Sequence, residues 1–216
     1  MSIEWWLVRH GITAWNAERR YQGHSDPPLL ADEASGLAEL RRELAGISFA
    51  AVYTSDLRRC RETLAIARPD LVDRARLDLR LREMNFGVWE GQTYDMLKDN
   101  ALYRAWIDDP QTVTPPGGES WREFENRVTE LCGELRARSS SLAARDRDVR
   151  EGSGEPGDEA GWAGIETRAP EQRAQTVRLL IVTHGGVISM LSSLLQPGLG
   201  FWDTRVGPGG VLRLYI

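Results

Sequence analysis

The stretch LVRHGITAWN, residues 7–16, carries an apolar run into an arginine, a histidine and a glycine. A second stretch, VRLLIVTHGG at residues 177–186, ends an apolar run in a similar way, on a histidine and two glycines. Short apolar runs of this kind are typical of strands that are buried inside a parallel sheet. The chain has only three histidines, and two of them, His10 and His184, are therefore predicted to follow directly on such strands.

Strand and helix patterns alternate along the chain around these two runs. The run FAAVYTS at residues 49–55 predicts another strand, and the segment before it carries leucines at helical spacing. Asp56 is placed to cap the helix that follows this strand. A strand from Leu77 that leads into a loop up to Gly91, helices over 94–109 and 121–144, and a closing strand over 210–216 complete the pattern. The alternation predicts an α/β fold with a mostly parallel sheet.

Length and composition fit one domain. The 216 residues suffice for a sizeable core, and a formal net charge of −5 provides no overall basic surface for nucleic acid. No run reaches the roughly 18 apolar residues of a membrane span, and the first residues show no secretion signal. Cys60 and Cys132 lack metal-ligand spacing, which favours reduced thiols and a cytoplasmic location. His24 lies in a loop and is interpreted as a surface residue.

Residues 145–176 differ from the rest of the chain. They are rich in charge, glycine and proline and show little apolar periodicity. A segment of this composition cannot bury enough apolar surface to offset the entropy lost on ordering. We therefore predict a mobile surface excursion within a single domain, 1–216.

The polar residues that follow the strands are expected at one edge of the sheet, because ligands of parallel α/β sheets bind outside the C-terminal ends of the strands. Arg9 and His10 follow the first strand, the arginines 58–59 follow the second, Glu83 follows the third and His184 the fourth. Such a set suits phosphoryl transfer to nitrogen. Cations neutralise the phosphoryl oxygens, a neutral imidazole is the nucleophile, and a carboxyl group protonates the leaving oxygen. We expect no metal and no cofactor, since no cluster of carboxylates suggests magnesium.

Six motifs follow one another between residue 7 and about residue 190: RHGIT-WN, RRYQGHSDPPL, VYTSDLRRCRETL, LREMNFGVWEG, PGGES and VTHGGVI. In order and content they resemble the histidine phosphatase superfamily, also called phosphoglycerate-mutase-like. The resemblance implies a three-layer α/β/α architecture. It also implies a helical lid, residues 84–120, over the C-terminal ends of the strands.

The resemblance further implies a role for each matching residue. His10 corresponds to the phosphorylated nucleophile, Arg9 to its phosphate-binding neighbour and Glu83 to the general acid/base. In the family pattern S-x-L-x-R the catalytic arginine is the fifth member, which is Arg59. His184 corresponds to the second histidine, which contacts the phosphoryl group. The resemblance adds further phosphate-binding positions, namely Thr13, Asn16, Gln22, Gly23 and Gly185.

The residues after Glu83 bear on the reaction type. Cofactor-dependent mutases of this superfamily typically read Glu-Arg-His-Tyr-Gly around the acid, whereas MNFG follows here and supplies no cation for a second acidic group. The chain therefore resembles the phosphatase branch, which includes broad-specificity phosphatases and α-ribazole phosphatase. We predict a metal-independent phosphomonoester hydrolase that forms a phosphohistidine and acts on a small organic phosphate. A phosphoglycerate mutase and a catalytically weak binding or regulatory relative are the alternatives. The sequence specifies neither the natural substrate nor an oligomeric state.

Overall fold

A computed structural model describes residues 2–151 and 176–216. The strands are β1 (Ser2–Arg9), β2 (Ala51–Thr54), β3 (Ala75–Leu77), β4 (Thr176–Thr183) and β5 (Val211–Tyr215). The α-helices are α1 (Ala14–Ala17), α2 (Glu33–Gly36), α3 (Ala38–Leu44), α4 (Arg58–Ala67), α5 (Tyr94–Leu97), α6 (Ala101–Asp108), α7 (Trp121–Glu151) and α8 (Gly185–Leu195). Short 3-10 helices cover Pro69–Arg74, Leu79–Leu81, Gly87–Trp89 and Phe201–Asp203.

The described strands form one sheet in the order β3-β2-β4-β1-β5. β4 lies at the centre and runs parallel to both β1 and β2, and β5 runs antiparallel to β1. The side chains of β4 are buried along most of its length, which explains why its sequence is a nearly continuous apolar run. The predicted mostly parallel sheet is confirmed.

Helices cover both faces of this sheet. Successive residues of β1 point to opposite sides: Trp5 and Leu7 pack in the core formed with α7 and α8. Trp6 and Val8 pack in a second core formed with α3 and α4. Burial of apolar side chains on both faces supplies the main stabilisation of the fold. The three-layer α/β/α architecture that the resemblance implies is therefore present.

The register of the strands brings their ends to one level. The last residue of β1 pairs with the last residue of β4, and the last residue of β2 pairs with Val182. His10, Ser55 and His184 therefore leave the sheet side by side at its C-terminal edge. The sheet thus positions the first part of the candidate site.

The third strand differs from its prediction. It covers Ala75–Leu77 and so ends where we expected it to begin, and a 3-10 helix over Leu79–Leu81 precedes Glu83. The Asp78 carboxylate accepts a hydrogen bond from Arg80 N (2.9 Å) and starts this turn. β3 is an edge strand of only three residues, which is too short to show an alternating pattern.

Two predicted features of the helices are also wrong. The expected helix over 94–109 is divided into α5 and α6, because the Asn100 side chain accepts a hydrogen bond from Tyr103 N (3.0 Å) and starts a new helix. Asp56 does not cap α4, because its carboxylate pairs with the guanidinium of Arg82 instead. This ion pair joins the end of β2 to the residue before Glu83.

The predicted excursion over 145–176 is partly helical. α7 continues through Glu151, and β4 begins at Thr176. The rest of the predicted excursion, 152–175, lies outside the described residues. No helix within the described ranges is long and apolar enough to cross a membrane.

The segment 84–120 has a small core of its own. Trp89, Leu97 and Tyr103 are buried against one another, and Phe86 and Trp106 pack on them. The hydroxyls of Tyr21 and Tyr103 are 2.7 Å apart, and their contact joins this core to the loop that follows α1. The segment therefore stands beside the C-terminal edge of the sheet as a separately packed unit.

Candidate active site

His10 follows β1, and its ring is fixed by its own neighbour. Its Nδ1 lies 2.7 Å from the carbonyl oxygen of Gly11. Because a carbonyl oxygen only accepts, Nδ1 carries the hydrogen and Nε2 keeps its lone pair. Burial, with Arg59 and Arg9 nearby, lowers the pKa of His10 from 6.5 to about 3. The imidazole is therefore neutral at physiological pH, with an unprotonated Nε2.

His184 lies across from His10, with the two ring centroids 5.1 Å apart. Its Nδ1 is 3.2 Å from Arg59 Nη2, and its Nε2 is 3.1 Å from Ser55 Oγ. A guanidinium only donates, so Nδ1 accepts and Nε2–H donates to the serine. Complete burial, together with Arg59, lowers the pKa of His184 well below its usual value. Both histidines are therefore neutral in the free protein.

Arg59 is a fully buried cation whose guanidinium donates hydrogen bonds to uncharged groups and lies 4.0 Å from one carboxylate, that of the exposed Asp26. Nη1 donates to Ser25 O and Nη2 donates to Gly23 O, both at 2.7 Å. The amide oxygen of Gln22 lies 3.0 Å from Arg59 Nε when the amide nitrogen faces Thr13. These hydrogen bonds orient the guanidinium without cancelling its charge. The charge is therefore available to an anion, and it acts strongly because water is excluded.

The predicted phosphate-binding residues Thr13, Asn16 and Gln22 form one hydrogen-bonded chain. Thr13 Oγ1 donates to Asn16 Oδ1 (3.1 Å), and the two residues form a capping box at the start of α1. The Gln22 amide nitrogen lies 2.6 Å from Thr13 Oγ1, and its oxygen faces Arg59. The structure thus joins Thr13 and Gln22 to the buried arginine, whereas the side-chain oxygen of Asn16 is used to cap α1.

The two predicted glycines, Gly23 and Gly185, allow other groups to come close. A Cβ on Gly23 would lie 2.2 Å from Met84 O. The glycine therefore allows the loop that follows α1 to pack directly against the segment 84–120. Gly185 begins α8 beside Arg9, where its missing Cβ would lie 3.5 Å from the guanidinium carbon. The first turn of a helix presents free main-chain N–H groups, which suit an anion.

Glu83 is held against this same first turn. Its Oε2 accepts a hydrogen bond from Gly186 N (2.9 Å), and its Oε1 accepts one from Met84 N (3.1 Å). A Cβ on Gly186 would lie 2.3 Å from Oε1, so the carboxyl group takes the space that the glycine leaves. Glu83 lines the same cavity as Arg9 and Gly185. The structure therefore brings the predicted acid to the predicted cations.

Arg127, on α7, holds the main chain around Glu83 and was not predicted. Its Nη1 donates to the carbonyl oxygens of Arg80 and Arg82, both at 2.7 Å. Its Nη2 donates to the carbonyl oxygen of Glu83 at 2.9 Å. An ion pair with Glu119 (2.6 Å) orients the guanidinium. The contact joins residues 44 positions apart in the chain, and no motif in the sequence marked it.

Glu33 and Thr63 support the loop after β1 and were also missed. Glu33 is only 6% exposed, and its Oε1 accepts a hydrogen bond from Ile12 N at 2.7 Å. A Cβ on Gly11 would lie 2.7 Å from this oxygen, so the glycine makes room for the carboxylate. Thr63 Oγ1 accepts from Gly11 N (2.9 Å) and donates to Arg59 O (2.7 Å). Thr63 thus ties this loop to the helix that carries the buried arginine.

His24 is not the surface residue that we predicted. It is half-buried, burial lowers its pKa, and its Nε2 is enclosed without a hydrogen-bond partner among the described residues. Its main-chain N donates to Glu90 Oε1 (2.7 Å), which holds this loop against the segment 84–120. Cys60 packs beside His184 as a buried free thiol whose pKa burial raises. Within residues 2–151 and 176–216, no three His, Cys, Asp or Glu side chains form a group that could hold a metal ion.

The family of the chain follows from comparison with known proteins. Residues 5–144 match the model of the histidine phosphatase superfamily, branch 1. The chain therefore belongs to the histidine phosphatase superfamily, as its motifs suggested.

Individual relatives point to two activities within that superfamily. The chain is 29% identical over 208 residues to the adenosylcobalamin/α-ribazole phosphatase of Escherichia coli K12, a match that covers 94% of this chain and 85% of that protein. It is 36% identical over 128 residues to a Salmonella choleraesuis protein named "Probable phosphoglycerate mutase GpmB", a match that covers 58% of this chain and 60% of the relative. The crystal structure of α-ribazole phosphatase from Shigella flexneri superposes with a TM-score of 0.68 at 27% identity and covers 97% of this chain and 89% of that one.

Proposed function

We propose that the protein hydrolyses phosphate monoesters in two steps through a phosphorylated His10. In the first step, the Nε2 lone pair attacks phosphorus, the bond from phosphorus to the ester oxygen breaks, and a proton from Glu83 goes to the leaving oxygen. In the second step, water attacks phosphorus and gives its proton to Glu83. The bond from phosphorus to nitrogen breaks, and inorganic phosphate leaves the regenerated imidazole.

The observation that carries this proposal is the state of the His10 ring. Its Nδ1–H is bound to Gly11 O at 2.7 Å, and burial lowers its pKa to about 3. A neutral imidazole with one nitrogen tied to the main chain presents its other nitrogen as the nucleophile. The tie also fixes the direction of the lone pair, which favours attack along a defined line.

The charge of the phosphoryl group is neutralised by protein groups in this scheme. Arg59 supplies a buried cation, and Arg9 and the first turn of α8 at Gly185 supply further donors. In the free protein, His184 accepts from Arg59 and donates to Ser55. Both ring nitrogens of His184 are thus occupied, so contact with a phosphoryl oxygen requires the ring to exchange one of these two hydrogen bonds.

The similarity to an adenosylcobalamin/α-ribazole phosphatase extends over 94% of the chain. This supports a phosphatase more strongly than the mutase-like match, which covers 58% of the chain. α-Ribazole 5′-phosphate is therefore the first natural compound to test. Its rate of hydrolysis, set against a panel of sugar phosphates, nucleotides and phosphoglycerates, identifies the substrate.

Phosphoglycerate mutase activity is the second candidate, because the relatives named GpmB share up to 36% identity with this chain. The three residues after Glu83, Met84 to Phe86, carry no cation that could hold a second acidic group in the way a mutase requires. Incubation of the protein with 3-phosphoglycerate and 2,3-bisphosphoglycerate distinguishes mutase activity from phosphatase activity. We expect release of inorganic phosphate without exchange between the two monophosphate isomers.

Release of nitrophenol from p-nitrophenyl phosphate, measured with a metal chelator present, tests the proposal. His10→Ala should lower kcat by about 1,000-fold or more, since the nucleophile is lost. Arg41→Ala serves as the matched control. Arg41 is an exposed residue of α3, which packs on the face of the sheet opposite to α7 and α8. A wild-type protein that binds phosphate esters without turnover would instead be a binding or regulatory relative.

A further inference from the structure

A cavity of about 430 Å³ opens beside the candidate active site. Arg9, Glu83 and Gly185 are among the residues that line it, so the organic part of an ester bound beside these residues can extend into this space. Its volume is within the range of pockets that hold small organic ligands, which is about 300–1,000 Å³. The organic part of a substrate would therefore have room in this cavity.

The walls of the cavity are largely aromatic. Phe86 and Trp106 come from the segment 84–120, Trp121 comes from the start of α7, and Phe201 and Trp202 come from the 3-10 helix after α8. Trp202 is 60% exposed, and its ring stands edge-on to Phe201 at 4.6 Å between centroids. A large indole left in water at a cavity wall gains apolar contact only when a ligand covers it.

The wall that carries Trp202 is fixed to the catalytic end of the cavity. Arg9 Nη1 donates to Val206 O (2.8 Å), and Ser189 Oγ donates to Thr204 O (2.9 Å). Arg9, the predicted phosphate-binding arginine, thus holds the segment 201–206, which contains the aromatic residues Phe201 and Trp202 of the wall. These contacts fix the position of the aromatic wall relative to Arg9, and therefore relative to a phosphoryl group bound there.

One cation stands in that wall. Arg205 is exposed and lines the cavity, and its side chain forms no hydrogen bond or ion pair with the residues that the structure describes. Two other arginines near the site, by contrast, are paired with carboxylates: Arg82 with Asp56 and Arg127 with Glu119. An exposed guanidinium in a cavity wall, with no carboxylate partner in the described ranges, suits an anionic group of the ligand.

We propose that the substrate is a phosphate monoester whose organic part has a flat apolar group, seated against Trp202, and a second anionic group bound by Arg205. The proposal rests on the proposed phosphatase function and assigns its substrate class. Arg205 lies in a part of the chain that the sequence did not single out.

Three synthetic esters with alcohol leaving groups test the proposal: ethyl phosphate, benzyl phosphate and 4-carboxybenzyl phosphate. All three leaving groups need protonation, so differences in kcat/KM report binding of the organic part. We expect benzyl phosphate to exceed ethyl phosphate by about tenfold or more, from burial of the ring. We expect the carboxybenzyl ester to exceed the benzyl ester by about fivefold, from the contact with Arg205.

Variants assign each preference to its residue. Trp202→Ala should reduce the ratio of benzyl to ethyl ester, and Arg205→Ala should remove the preference for the carboxylate. Arg205→Lys should keep part of that preference because the charge remains, and Arg41→Ala should keep all of it. Inhibition by benzylphosphonate and ethylphosphonate, which are not hydrolysed, gives the same comparison without turnover.

Equal hydrolysis of the three esters, with a phosphohistidine still formed, would overturn the proposed substrate class and leave the phosphatase function intact. A carboxylate preference that survives Arg205→Ala would overturn the role of Arg205. Failure to hydrolyse any ester and to form a phosphohistidine would overturn both proposals.

Discussion

Replacement of Gly186 by alanine should disable the enzyme by displacing one carboxyl group. Glu83 Oε2 accepts a hydrogen bond from Gly186 N (2.9 Å), and the new Cβ would lie 2.3 Å from Oε1. The neighbouring Gly185 provides a matched control. Its added Cβ would lie 3.5 Å from the nearest atom of Arg9, which is an ordinary contact. Both glycines lie in the first turn of α8 without positive φ, so alanine fits the backbone at either position.

The size of the effect follows from these distances. A contact of 2.3 Å must lengthen by about 1 Å to become an ordinary one, and the carboxyl group is the part that can move. Misplacement of a catalytic group by about 1 Å can cost roughly 100-fold in rate. We therefore expect Gly186→Ala to lower kcat by about 100-fold for an ester with a poor leaving group. Gly185→Ala should lower it only a few-fold.

Steady-state hydrolysis of benzyl phosphate and of p-nitrophenyl phosphate measures this difference. Benzyl alcohol needs a proton to leave, whereas nitrophenolate does not, so the loss in Gly186→Ala should be larger for benzyl phosphate. Thermal unfolding of both variants checks that the fold is kept. Once Glu83 is already Gln, adding Gly186→Ala should change kcat little, because both substitutions act on one group.

The reasoning fails if Gly186→Ala and Gly185→Ala have the same kcat on benzyl phosphate. It also fails if the loss in Gly186→Ala is the same for both leaving groups. The first result would mean that the added Cβ does not displace the carboxyl group of Glu83, and the second that this group does not donate the proton.

Three further perturbations test other parts of the site. Glu83→Gln should slow benzyl phosphate far more than p-nitrophenyl phosphate, and equal losses in kcat would count against a proton donor. Glu33→Ala should lower the free energy of unfolding by about 2 kcal/mol, because Ile12 N loses its acceptor. Glu33→Gln keeps an acceptor oxygen and should cost less, and chemical denaturation of the two variants decides the point. Because burial holds the pKa of His10 at about 3, the unfolded chain takes up a proton below about pH 6.5 that the folded chain refuses. Between pH 7 and pH 5, wild-type stability should therefore fall about 2 kcal/mol further than that of His10→Asn. Parallel losses in urea titrations at the two pH values would show that this imidazole is not held neutral.

The sequence indicated the centre of the site because its residues follow strands directly. His10 and His184 come immediately after β1 and β4, and parallel strands end at one edge of the sheet. The local order of the chain therefore determined where these side chains meet. Arg59 was singled out by the pattern S-x-L-x-R, and it lies in the first turn of α4 beside the same edge.

The supporting residues could not be found in this way, because tertiary packing alone brings them in. Arg127 reaches the carbonyl oxygen of Glu83 from α7, and Glu33 reaches Ile12 N from α2. Each is a charged residue within a helical pattern, and sequence periodicity treats such residues as part of the solvated face. The only local signal was indirect: the glycine at position 11 leaves the space that the Glu33 carboxylate fills.

The element boundaries failed for a related reason. β3 has three residues at the edge of the sheet, and an edge strand so short has no burial pattern to read. The break between α5 and α6 depends on one hydrogen bond from Tyr103 N to the Asn100 side chain. Apolar spacing continues across that break, so periodicity predicted a single helix.

The site of phosphorylation is the most direct test of the mechanism. A phosphate ester labelled with ³²P, mixed with the enzyme and quenched within milliseconds in base, should leave a base-stable and acid-labile label on His10. Digestion and mass spectrometry should place the phosphoryl group on Nε2, because Nδ1–H is bound to Gly11 O. Label on Nδ1, label on another side chain, or turnover without any labelled protein would contradict the account.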